Sequence, residues 1–526
     1  MMRLLCVAGT LLAVAAAALG GRPDTVRTDS DADTLAAAID HRIADKLRAA
    51  GVAPAPPADD ASFFRRINLS LAGRIPVPSE VRAFLADTDP AKRRKAVDRL
   101  LISAAYANHL TTVWRGWLLP EARTAPDVAN AVPAFEAWLR PRVRADVPYD
   151  RLVTELLTAP LDGRRSAGQE MPDDDPAGAN GPVAFYTAKD GKPENLAAAT
   201  SRVFLGVRLE CAQCHDHPFA RWSRDQFWGL AAFYGGIGGS GGNLREVFDR
   251  RELAVPNRDR AVPATFLDGK EPEWQFRKSP RVTLAAWLTA PDNPFFARAA
   301  VNRYWGLLFG VGLVDPVDDF HEKNPPSHPE LLDDLAQAFV ASGFDTKFLL
   351  RAICRSETFG RSSAITEPGQ GDVRLLARFP VQGLTPEQLV DSLQVLTGAG
   401  PRPSGPGAGA GLPRLRLLET FALSGTNTET QTTILQALSL MNGSVVGAAT
   451  TPATSRVLEG ITELPGLTNA ERVEALYLAA LSRQPSDREL TRALHHVESA
   501  GESNTRAGYA DVLWALLNGV EFRTNH

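Results

Sequence analysis

The sequence predicts a mainly α-helical chain, with two helical domains over 33–240 and 283–526 and a hinge with a small β-containing insert at 241–282 between them. Three observations carry this. Apolar residues recur at helical spacing through most of the chain, helix-start signals stand ahead of several of those runs, and the helical pattern fails in only a few short stretches. The composition agrees: 526 residues, 44% hydrophobic, 22% charged and a net charge of −4 describe an ordinary globular chain of more than one domain.

In chain order, Leu35, Ile39, Ile43 and Leu47 recur every four residues and stop at Gly51, as an amphipathic helix with a glycine past its end does. "PAPP" at 54–57 separates it from the helix "DASFFRRINLSLAG". Further helices follow near 79–87, 90–102, 105–118, 131–140 and 149–158, and "KPENLAAATSRVFLGVRLE" reads as one helix opened by Pro193. Ser223 to Gln226, Thr385 to Gln388, Thr468 to Glu471 and Ser486 to Glu489 each fit a capping box, in which two side chains satisfy backbone N–H groups that a first helical turn leaves unpaired. "YGGIGGSGGN" at 234–243 reads as a hinge, and the alternating pieces after it, to about 282, as short strands. "GAGPRPSGPGAGAGLP" at 398–413 has too few side chains to bury and reads as a mobile Gly/Pro/Ala-rich surface loop.

The N-terminus sets the compartment. Residues 1–20 carry Arg3, an apolar run from Leu4 to Leu19 and small residues at Ala16, Ala18 and Gly20, the pattern of a cleavable signal peptide. A periplasmic or secreted protein is expected, with no later segment apolar for long enough to span a membrane. An uncleaved signal acting as an anchor is the alternative. The mildly acidic charge and the one basic run "KRRKAVDR", interrupted by Ala96 and Val97, point away from nucleic acid as a partner.

Of 4 cysteines, Cys6 lies in the signal, which leaves Cys211, Cys214 and Cys354, too few for a disulfide scaffold. Cys354 falls in the helical apolar pattern of Phe348, Leu349 and Ile353 and reads as a buried thiol. Cys211-Ala212-Gln213-Cys214-His215 is the C-x-x-C-H pattern of covalent haem c attachment. Two thiols one short turn apart form thioethers to the vinyl groups, and the adjacent imidazole of His215 ligates the iron. His217 is a second imidazole within reach of a metal. The sixth iron ligand stays open, because Met171 lies in an Asp- and Pro-rich loop, Met441 reads as core filling and His217 is close in sequence for crossing to the other haem face. Two other readings stand beside haem: zinc or another transition metal held by Cys211, Cys214 and His217, and a Cys211–Cys214 disulfide in a cofactor-free scaffold.

The stretches "FLGVRLECAQCHDHPFARWSRDQFWGLAAFYGG", "IDHRIADKLRAAGVAPAPPADDASFFRRINLSLAGRIPVPSEVRAFLAD" and "NPFFARAAVNRYWGLLFGVGLVDPVDDFHEKNPPSHPELLDDLAQAFVASGFDTKFLLRAICRSETFGRSS" resemble the paired domains of unknown function of secreted planctomycete proteins, the group named for planctomycete cytochrome C. Longer relatives carry an additional N-terminal haem-binding domain with its own C-x-x-C-H, and this sequence holds only the one motif. The resemblance brings no established activity.

A second polar cluster, "DPVDDFHEKNPPSHPE", places Asp315, Asp318, Asp319, His321, Glu322, His328 and Glu330 within one loop and helix start. Asp318, Asp319, His321, Glu322 and His328 are the weaker metal candidates there, and a solvated loop with Ser327 and Pro329 opening a helix is the other reading. No H-E-x-x-H and no phosphate-cradling glycine loop is present, and no catalytic residues are assigned. The sequence thus leaves three expectations: a haem c protein working with an unknown redox partner or extracellular protein, a metal-binding secreted enzyme or accessory protein linked to polysaccharide breakdown, and a scaffold.

Overall fold

The computed structural model describes residues 29–161, 181–239, 243–256, 260–397, 443–451, 454–501 and 504–526, with Leu418 and Met441. Among them the chain is mainly α-helical, and its strands form only three two-stranded antiparallel sheets. The signal segment, the 398–413 loop and Met171 lie outside the described residues.

The local start signals form as read. Ser223/Gln226, Thr468/Glu471 and Ser486/Glu489 close as reciprocal capping boxes. Thr385 and Gln388 do the same, with the Thr385 N–H donating to Gln388 Oε1 at 2.9 Å and the Gln388 N–H to Thr385 Oγ1 at 3.2 Å. The first helix spans Asp29–Ala50 and ends on Gly51 at φ 67°. Three readings need correction. The segment from Pro193 is helical only to Leu205, where Gly206 turns left-handed at φ 69°. Gly206 also meets Phe320, whose Cδ2 lies 2.7 Å from where a Cβ would stand, so both backbone sign and space exclude a side chain there. The helix Pro329–Ala341 has His328, not Ser327, as its N-cap residue. Met441 is 46% exposed and fills no core.

The insert is built from two hairpins, Ile237–Gly238 with Arg245–Glu246 and Glu252–Leu253 with Val262–Pro263. A Cβ on Gly236 would run into the Val247 carbonyl, so this glycine serves close backbone approach. The third sheet joins Gln382–Gly383 to Thr524–Asn525, a pairing across the chain that no local pattern announces.

One apolar core draws its residues from 32 to 379, on both sides of the insert, with Leu478. A second core takes residues from 384 to 522 together with Leu69 and Ile75. Arg65 and Arg66, buried on the helix Asp60–Ile67, bridge the two. Arg65 donates to the carbonyls of Ala480 and Phe522, each at 3.0 Å.

Candidate functional site

The C-x-x-C-H segment connects the helical turn ending at Leu205 to the helix Arg224–Ala232. Glu210–Ala212 is a 3-10 turn, and Gln213 continues in helical geometry at φ −62° and ψ −39°. The turn carries Cys211, and Cys214 follows it three residues on. Both are exposed free thiols, whereas Ala212 between them is buried. The turn is held from behind: the Gln213 carbonyl accepts from Trp228 Nε1 at 3.0 Å and Arg224 Nε at 3.3 Å. Asp216 Oδ1 accepts the Arg224 N–H at 2.8 Å.

The two histidines differ in what their rings have left to offer. His215 is exposed, with Nδ1 2.7 Å from the Asp216 carbonyl oxygen. A carbonyl only accepts, so Nδ1 carries the proton, and Nε2 of the neutral ring keeps its lone pair. A carbonyl accepting from one ring nitrogen fixes the ring's orientation and points the other nitrogen outward, as in ligating imidazoles. His217 Nδ1 instead accepts the N–H groups of Phe219 at 3.2 Å and Ala220 at 3.0 Å. Burial, aided by His321, holds the ring below the ordinary histidine range. With Nδ1 engaged by two backbone N–H groups, His217 serves as a brace for the loop.

The second cluster folds against the first, without converging on a point. Asn302 fixes its start, accepting the Val314 N–H at 2.9 Å and donating to the carbonyls of Val314 at 2.8 Å and Val317 at 3.2 Å. The Phe320 N–H donates to the Gly206 carbonyl at 2.9 Å, and Arg208 grips Asp318 Oδ1 at 2.7 and 2.9 Å. Asp319 stands 3.6 Å from His321 Nε2, whose Nδ1 accepts from Lys323 N, while exposed Glu322 lies 3.7 Å from Arg221. Among the described residues no three His, Cys, Asp or Glu side chains come together as a metal cage. Between the two clusters opens a cleft of about 840 Å³, walled by Leu205, Trp222, Phe295 and Phe320, with Arg298 and Gln226 among its polar groups. Cys211, Cys214 and His215 do not line it.

His328 lies apart from the others, 4% exposed, with Nδ1 3.1 Å from Ser327 Oγ and Nε2 buried without a hydrogen-bond partner among the described residues. Burial, then the nearby Lys46 and Arg374 charges, pull it down to about 4. Its folded-state value therefore lies below the ordinary one, so stability is full above about pH 6.5 and is lost as the pH falls toward 4. The loss reaches about 3 kcal/mol, one pKa unit being about 1.4 kcal/mol. Urea midpoints of wild type and His328→Leu between pH 7 and 4 check this, and the variant's profile should be flatter by that amount.

Sequence reading missed the supporting residues, namely Asp216, Arg208, Gln213 and Asn302. They act through main-chain groups or partners distant in the chain, and only the density of polar residues around the motif hints at them.

No curated protein and no solved structure matches the chain. Residues 38–238 match the family model PSCyt2, described as a protein of unknown function (DUF1549). Residues 280–413 and 418–497 match PSD1, described as a protein of unknown function (DUF1553). The chain belongs with the proteins that pair these two planctomycete domains of unknown function, PSCyt2 followed by PSD1.

Proposed function

We propose that Cys211, Cys214 and His215 hold a covalently attached haem c at the protein surface, through which the protein exchanges electrons with an extracellular or periplasmic partner. The observation that carries this reading is the turn itself, with two exposed free thiols three residues apart and a neighbouring imidazole whose Nδ1–H is tied to the Asp216 carbonyl. Thioether formation needs the thiols accessible, and iron ligation needs the free Nε2 lone pair. Bound haem supplies a one-electron carrier. The chain's own part is to hold the turn rigid through Gln213, Trp228 and Arg224 and to orient the His215 ring through Asp216. Zinc at Cys211, Cys214 and His217 is the weaker reading, since His217 would have to surrender a backbone hydrogen bond to reach a metal.

Intact mass and a visible spectrum test the proposal on protein exported from a host with haem-attachment machinery. The expected result is a covalent haem adduct with a Soret band, abolished in the Cys211→Ser/Cys214→Ser double variant. In His215→Ala the adduct should persist with an altered spectrum. Unmodified mass and no colour, where a control cytochrome matures, would overturn the reading.

A further inference from the structure

A second cleft, of about 550 Å³, lies between the Pro54–Pro57 segment, the start of the helix Lys92–Leu101 and the turn Cys354–Arg361. Its apolar wall includes Pro54, Pro56, Phe63 and Val97. Its charge is one-sided, with Arg93, Arg94, Arg355 and Arg361 on the lining against the single carboxylate of Glu357. Arg93 is held by Asp60 and Arg355 by Asp98, while Asp33 is shared between Arg94 and Arg355. Arg361 differs from these three. It is 7% exposed, donates Nη1 to the Leu376 carbonyl at 2.8 Å, and has no carboxylate within ion-pairing distance among the described residues. Burial pulls its guanidinium below the ordinary arginine range, with Asp40 and Glu357 offsetting this from farther off. A cation removed from water without a counter-ion is costly, and an anion entering the cleft would supply one.

We propose that this cleft binds a small organic oxyanion, with Arg361 and half-exposed Arg94 as the charge partners and the proline and phenylalanine wall covering the ligand's apolar body. Guanidinium groups match sulfate, phosphate and carboxylate through paired N–H donors, which fixes the anionic class. The site is separate from the thiol turn and independent of whether haem is attached there.

Calorimetric titration of the full-length protein with phenyl sulfate, benzoate and inorganic sulfate tests this at low ionic strength. At least one organic probe should bind saturably, and more tightly than inorganic sulfate. Arg94→Gln and Arg361→Gln should each weaken it by about tenfold or more, the range expected for losing a charge-assisted hydrogen bond. Arg94 is 50% exposed, so its variant decides the matter even if Arg361→Gln does not fold. No saturation by either organic probe, wild-type affinity in Arg94→Gln, or equal affinity for inorganic sulfate would overturn the proposal.

Discussion

Replacing Arg66 with methionine should lower the unfolding free energy by about 3 kcal/mol or more, and replacing it with lysine should lower it by at least as much. Arg66 is 0% exposed and pairs with no Asp or Glu side chain among the described residues; it works as a fork between main-chain oxygens. Nη1 donates to the carbonyls of Phe359 and, at 2.8 Å, Arg361, and Nε to the main-chain oxygen of His526 at 3.3 Å. The guanidinium lies 3.8 Å from the Phe379 ring centroid, so the ring's π face offsets part of the burial cost. Burial pulls its pKa down to about 9, so it remains charged at neutral pH. Methionine fills much of the same volume but leaves buried carbonyls unsatisfied. Lysine keeps the charge and its desolvation cost, yet a single ammonium cannot span the same acceptors. Urea denaturation of the two variants separates the explanations. A stable Arg66→Lys would mean that charge alone is required, and a stable Arg66→Met would mean that the carbonyls find other partners.

The same residue shows where the sequence is opaque. Helical periodicity places "FFRR" on a helix, and a periodic pattern assigns arginine to the solvent face. Its burial depends on acceptors some three hundred to four hundred and sixty residues away, which no window of the sequence contains. The capping boxes were legible because both partners lie within four residues, and the helices they open follow. The stop at Gly206 was not, because the pressure on it comes from Phe320 in the other half of the chain. In the candidate site the order is similar. The i, i+3 spacing of the cysteines and the position of His215 could be read directly, and all three are exposed. That His217 braces the loop could not, since its partners are the main-chain N–H groups of 219 and 220. The oxyanion cleft has no local signature at all, being assembled from three separated segments.

Replacing Glu246 with glutamine should cost about 3–5 kcal/mol, the scale for leaving a buried charge without its partner. Glu246 sits in the first hairpin of the insert and Arg281 on the helix Pro280–Leu288, and their side chains are only 7% and 3% exposed. The pair is bidentate, through Nε to Oε1 at 2.9 Å and Nη2 to Oε2, and Ser279 Oγ adds a hydrogen bond to Oε1. Nη1 donates to the carbonyls of Leu157 and Ala159, each at 3.0 Å, and to Tyr186 Oη at 2.9 Å. Burial alone would pull Arg281 down, but Tyr186 and Glu246 outweigh it and hold the guanidinium above its ordinary range. Glutamine keeps the shape of the carboxylate but turns one acceptor oxygen into an NH2 donor, so the loss covers the charge and one of the two hydrogen bonds to Arg281. The insert is otherwise two small hairpins, too short to be stable by themselves, and this ion pair adds to the apolar contacts of Ile237 and Leu244 in tying the first of them to the helical core. A double-mutant cycle tests the coupling. Arg281→Met should be strongly destabilising in the wild type and far less so beside Glu246→Gln, because the second change removes a charge already left unpaired. Additive effects would show that Arg281 works through its carbonyl and tyrosine partners, with Glu246 contributing little to holding the insert in place.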